Sequence, residues 1–121
     1  MKIHYETWGE GYPIILVHGI IANLKLNWLV QNWVETLRPI RRVVALDCRG
    51  HGESDKPHDP AAYGSENTGQ DVLRLMDYLG IDKAEIVNAN NTHRYMVMRF
   101  NKAHILRNLL EIYLDGNNKE F

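Results

Sequence analysis

The sequence holds little that would staple or anchor it. A single cysteine, Cys48, excludes an intrachain disulfide, and no Cys/His spacing resembles a structural zinc site. Four prolines and nine glycines in 121 residues are too few for a collagen-like or low-complexity chain. No charge of one sign dominates: 14 basic residues face 15 acidic ones, and the basic residues are scattered, so neither a nucleic-acid groove nor a membrane surface is an expected partner. Apolar runs are short, far below the ~20 residues of a membrane-spanning helix. Met1 to Tyr12 lacks the apolar stretch of a signal peptide, so the expected location is cytoplasmic. What is present is a 45% apolar content with three Trp, six Tyr and two Phe, enough to bury a core. The length fits one domain over residues 1–121.

Hydrophobic patterning alternates between strand and helix. Lys2 to Trp8 reads as a strand and Gly9-Glu10-Gly11 as a turn. Pro13 to Val17 is a near-continuous apolar run, the pattern of a strand buried on both faces. Leu26, Val30, Trp33 and Leu37 recur at helical spacing, and Pro39 closes that helix. Val43 to Leu46 is a second buried strand. It leads into Asp47-Cys48-Arg49-Gly50-His51-Gly52-Glu53-Ser54, which is too polar and glycine-rich to be other than a loop. Val72, Leu75, Met76 and Leu79 predict an amphipathic helix with Gly80 as its left-handed C′ residue. Ala84 to Val87 is a third buried strand. The order predicts an α/β fold, a mostly parallel sheet with flanking helices and right-handed crossovers. The tail has two alternatives. Either a helix over roughly 92–103 precedes a strand over roughly 108–114, or one helix runs from about Thr92 to about Leu114. The apolar run Leu109 to Leu114 favours the first.

Three stretches carry a family resemblance. Leu16-Val17-His18-Gly19 is similar to the His-Gly oxyanion loop of α/β-hydrolases of the esterase/lipase-like kind. Asp47 to Ser54 resembles their Asp-x-Arg-Gly-x-Gly-x-Ser loop. Leu75 to Val87, with Leu-Gly-Ile-Asp-Lys-Ala, resembles the lead-in to their nucleophile strand. The resemblance covers residues 1–87 and implies a partial α/β-hydrolase fold with an altered tail over 88–121.

The resemblance implies a Gly-x-Ser-x-Gly nucleophile elbow directly after Val87. The chain instead has Asn88-Ala89-Asn90-Asn91-Thr92. Asn90 falls on the nucleophile position, and Asn88 and Thr92 fall on the two glycine positions. An amide has no ionisable nucleophile, so the Ser-His-Asp route is absent. By position, the oxyanion-hole donors would be the backbone N–H groups of Ile20 and Asn91. The resemblance implies that the family's acid and base are expected beyond residue 121, and His93 and His104 are too close in sequence to Asn90 to take that role in the family geometry.

Each remaining candidate has a bland explanation beside the chemical one. His18, Gly19, Asp47, Arg49, Gly50, His51, Gly52 and Ser54 are expected to order their loops rather than to react. Cys48 is expected to be a small buried residue, not a nucleophile. His18, Asp47, His51 and His93 are the residues that by type could hold a metal, but no metal and no cofactor are expected. Asn90-Asn91-Thr92 matches a glycosylation sequon, a match expected to be chance where no signal peptide is visible, and Trp28 and Trp33 are expected to pack.

These observations predict a truncated, hydrolase-like pseudoenzyme that lives as a homo-oligomer; a continuous 92–114 helix would make it a dimer that exchanges this segment. A carboxylic-ester hydrolase completed by a partner chain or an unrecognised site is the alternative. A small-ligand or protein binding module at the strand C-termini, or an engineered fragment, is a further one.

Overall fold

Alternate residues of a strand point to opposite faces, so a run such as Ile14-Ile15-Leu16-Val17 is stable only where both faces are covered. A computed structural model of the chain describes residues 1–19, 22–89 and 95–101, the last by backbone course alone, and shows that double covering. The strands are β1 (Tyr5–Trp8), β2 (Pro13–Val17), β3 (Arg42–Leu46), β4 (Lys83–Ala89) and β5 (Tyr95–Asn101). Their spatial order is β1-β3-β2-β4-β5. The three central strands run parallel, with Ile15 opposite Val44 on one side and Ile86 on the other. β1 and β5 lie antiparallel at the two ends.

The helical segments take opposite faces. Helix α2 (Ser65–Leu79) brings Val72, Leu75 and Met76 onto Ile15, Val17, Val44, Leu46 and Ile86. Its C-terminus closes as the sequence predicts: Gly80 is left-handed at φ 68°, and the Ile81 N–H donates to the Met76 carbonyl at 2.9 Å. On the other face Leu24, Trp28 and Val34 pack on Ile14, Leu16, Val43, Ala45 and Val87. Among the described residues, no helix is long and apolar enough to cross a membrane.

Two expectations need correction. The helix predicted from Leu26 to Leu37 is broken. A wide turn over Lys25–Leu29, closed by the Val30 N–H on the Lys25 carbonyl at 2.9 Å, is followed by a short helix α1 (Trp33–Leu37). Between them Asn32 adopts a left-handed φ of 62°. The i to i+5 closure shifts the phase of the turn. Leu24 and Trp28 therefore turn inward, and Leu26 and Val30 are left 52% and 69% exposed.

The second correction concerns the tail. Both alternatives placed residues 95–101 in a helix, whereas they form β5, with Tyr95 opposite Ala89 and Asn101 opposite Lys83. A short apolar run reads equally as either element, and the open edge of β4 decides for the strand. Tyr95 pairs with Ala89 across an interval of five residues in sequence, enough for an antiparallel return but too little for a parallel crossover. Exchange of one continuous 92–114 helix therefore loses its basis. The strand expected over 108–114 lies outside the described residues.

Candidate functional site

From β2 the chain crosses to β3 on one side and then, through α2, to β4 on the other. The strand order thus reverses around β2, and the carboxyl ends of its strands form the crevice where open α/β sheets hold ligands. Three sequence motifs end there: His18-Gly19 after β2, the Asp47–Ser54 loop after β3, and Asn88 near the end of β4.

His18 is 3% exposed. Its Nε2 accepts the Cys48 backbone N–H at 2.8 Å, which leaves the ring proton on Nδ1, 2.7 Å from the Gly19 carbonyl. Both ring nitrogens are therefore engaged. Burial lowers the His18 pKa below 6.5, partly offset by the Gly19 hydrogen bond, and the neighbouring His51 ring, 5.0 Å away, lowers it further. The Gly19 N–H donates to Asn27 Oδ1 at 2.7 Å.

Asp47 joins three segments. Its Oδ1 accepts the Leu24 N–H at 2.9 Å and its Oδ2 the Glu53 N–H at 3.0 Å. Its own N–H donates to the His4 carbonyl at 2.9 Å. The Ser54 hydroxyl donates to the Asp47 carbonyl at 2.6 Å and accepts the His4 N–H at 2.8 Å. Ser54 is thus buried between two backbone groups rather than set against a base. The Cys48 thiol is pushed up to about 12, first by burial and then by the Asp47 and Asp71 carboxylates, so it is not a thiolate at neutral pH.

Arg49 leaves the loop for α2, pairing with Asp71 and donating to the Ala62 carbonyl at 2.6 Å. This pairing raises its pKa further. Gly50 and Gly52 take left-handed φ values of 82° and 51°. A side chain at Gly52 would collide with the Asp47 carboxylate.

Asn88, at the first glycine position of the elbow pattern, is 5% exposed. Its Oδ1 has no hydrogen-bond partner among the described residues. Ile20, Asn90, Asn91, His93 and His104 lie outside the described residues, so the nucleophile position, both oxyanion-donor positions and the sequon do too. The His18, Asp47, His51, His93 metal set is not assembled by the residues described: His18 has both nitrogens engaged, and Asp47 instead lies with His4 and Glu53. Trp28 and Trp33 meet edge to face at 5.1 Å within the core.

Sequence reasoning missed the partners of these loops. Asn27, Asp71 and His4 carry no motif. The one available signal was Asp71, an acid beside the apolar stripe of α2.

A family model described as the alpha/beta hydrolase fold matches residues 12–87. The soluble epoxide hydrolase of Corynebacterium sp. (strain C12) is 34% identical over 86 residues, covering 71% of this chain and 28% of that protein. The dihydrolipoyllysine-residue acetyltransferase component of the acetoin cleaving system of Pseudomonas putida is 41% identical over 83 residues, covering 68% of this chain and 21% of that protein. Among solved structures, an epoxide hydrolase from an endophytic Streptomyces superposes with a TM-score of 0.66 at 30% identity, covering 73% of this chain and 26% of that one. The chain therefore spans about a quarter of the length of these relatives.

Proposed function

The chain belongs to the alpha/beta hydrolase fold family, and from that premise we propose that it is a catalytically silent member, with Asn90 at the nucleophile position. One observation supports this reading: counting from Val87, Asn90 falls on the nucleophile position of the elbow pattern, and its side chain is a carboxamide, not a hydroxyl. A carboxamide cannot form an ester intermediate. The engaged nitrogens of His18, the buried Ser54 and the protonated Cys48 support the same view. Epoxide hydrolysis, named for the Corynebacterium relative, belongs to a protein of which this chain covers 28%.

The test is turnover of p-nitrophenyl acetate and of an aryl epoxide by the purified chain, with Asn90→Ser alongside. Rates equal to buffer for the unaltered chain are expected. Turnover above buffer that survives rigorous purification would end the proposal.

A second reading is favoured by the intact His18-Gly19 and Asp47–Ser54 loops: a carboxylic-ester hydrolase completed by another chain. Ester turnover that appears only on mixing with a partner fraction would support it, and no turnover on mixing would remove it. A homo-oligomer is part of either proposal. Among the described residues β1 and β5 end the strand order, and a strand edge left open invites pairing with another copy. Light scattering that gives a monomer mass at micromolar concentration would remove it.

A further inference from the structure

We propose that His4, Asp47 and Glu53 form a binding site for a divalent transition cation of the zinc class. It lies beside the Asp47 loop and stands independently of the catalytic question.

The donor spacing carries the proposal. His4 Nε2 lies 3.1 Å from Glu53 Oε2 and 3.4 Å from Glu6 Oε2. Ligand atoms bound tetrahedrally at ~2.0–2.1 Å from a zinc ion are roughly 3.3–3.4 Å apart. The His4–Glu53 pair thus already sits near the edge length of such a tetrahedron, and Glu6 lies at a similar distance from the same imidazole nitrogen. Asp47 supplies a further donor: one ligand atom each from His4, Asp47 and Glu53 lies within 4.8 Å of the others.

The backbone fixes this grouping. His4 and Glu6 are two residues apart on an extended segment and so share a face. The Asp47 N–H donates to the His4 carbonyl at 2.9 Å and holds that segment against the end of β3. The Glu53 N–H donates to Asp47 Oδ2 at 3.0 Å and brings its side chain to the same point. A carboxylate oxygen accepting one backbone N–H keeps a lone pair for a metal.

Charge and access favour a cation. Three carboxylates surround one imidazole, and among the described residues Glu6 and Glu53 form ion pairs with His4 alone. Lys56, the nearby cation of the loop, is turned to the Gly52 and Ser54 carbonyls. His4 and Glu53 side chains are 26% and 64% exposed, so an ion can reach them from solvent. An imidazole among carboxylates selects zinc-class ions over magnesium, which prefers oxygen and water. Binding would clip the N-terminal segment to the loop after β3 and stabilise the fold by mass action.

The test is calorimetric titration and thermal unfolding of the untagged, chelator-treated chain with zinc chloride at pH 7.5. One-to-one binding with a saturable rise in Tm is expected. Glu53→Gln, at an exposed position that does not threaten folding, should weaken zinc binding at least ~10-fold. His4→Gln should abolish it, while His58→Ala, an exposed histidine elsewhere, should leave it unchanged. Magnesium chloride at the same concentration should not shift Tm. No zinc response, an equal response in Glu53→Gln, or loss of the response in His58→Ala would each overturn the proposal.

Discussion

The Arg49 guanidinium meets the Asp71 carboxylate at two points, Nε to Oδ2 at 2.7 Å and Nη2 to Oδ1 at 2.8 Å, and so ties the loop after β3 to helix α2. Asp71 is almost wholly buried and Arg49 nearly so. Removing one partner of such a pair strands the other charge, which typically costs about 3–5 kcal/mol. Asp71→Ala should therefore lower unfolding stability by about 3 kcal/mol or more. Arg49→Lys keeps the charge but loses the planar fork, and should also destabilise. Arg74, at 3.3 Å from the same carboxylate but with its side chain 59% exposed, should contribute less than ~1 kcal/mol. Urea denaturation of the three variants checks the order. Equal losses for Asp71→Ala and Arg74→Ala would contradict it.

Because His18 is buried with its pKa lowered, the native state keeps the ring neutral where the unfolded chain takes up a proton. Below the unfolded value of 6.5 the unfolded state binds more protons, so stability rises with pH there. The contribution is complete above that value and is lost as pH falls through it. Tm should drop between pH 7.5 and 5.5. His18→Gln, whose amide can still accept the Cys48 N–H, should lose part of that slope. The limit is ~1.4 kcal/mol per pH unit for one group. Identical pH profiles for the two proteins would show that His18 does not carry the effect.

The central sheet was legible because its signal is local. Ile14 to Val17 is apolar at every position, and the structure covers both faces. The Gly80 cap was legible for the same reason: one residue type and one following apolar residue define it. Residues 25–37 misled because periodicity counts apolar residues without knowing whether a turn closes at i+4 or i+5. Leu26 and Val30 fit the helical spacing yet face solvent. Residues 95–101 misled because strand pairing depends on which edge is open, and that edge belongs to β4, not to the segment itself. The loop motifs announced themselves by residue type, but the groups that hold them did not. Asp71, Asn27 and His4 reach the loops through space, 22, 8 and 50 residues away from Arg49, Gly19 and Ser54. The nucleophile position, three residues after Val87, is a matter of sequence alone.

Gly52 and Gly80 separate backbone strain from steric collision. Both have left-handed φ, 51° and 68°. An added Cβ at Gly80 meets nothing within 4 Å, so Gly80→Ala should cost only the strain, ~1–2 kcal/mol. At Gly52 the same Cβ would push into the Asp47 carboxylate, which holds the Leu24 and Glu53 N–H groups. Gly52→Ala should therefore destabilise by ~1–3 kcal/mol more than Gly80→Ala, since buried donors lose their acceptor. Chemical denaturation of both variants measures the difference. Parity between them would mean the Asp47 contacts are not held as tightly as the geometry indicates.

Cys48 gives a direct readout of the same loop, being the chain's single thiol. Its folded pKa of about 12, against 9.0 for an unperturbed thiol, lowers the thiolate population at pH 8 by about a thousand-fold. Its 7% exposure restricts a bulky reagent as well. Labelling by a chromogenic disulfide at pH 8 should therefore be at least ~100-fold slower in the native protein than in urea. The native rate should follow the population of opened molecules. Asp71→Ala, by loosening the loop from α2, should speed labelling even where the protein remains folded by circular dichroism. Native labelling as fast as in urea would mean that the thiol is neither buried nor protonated as the structure places it.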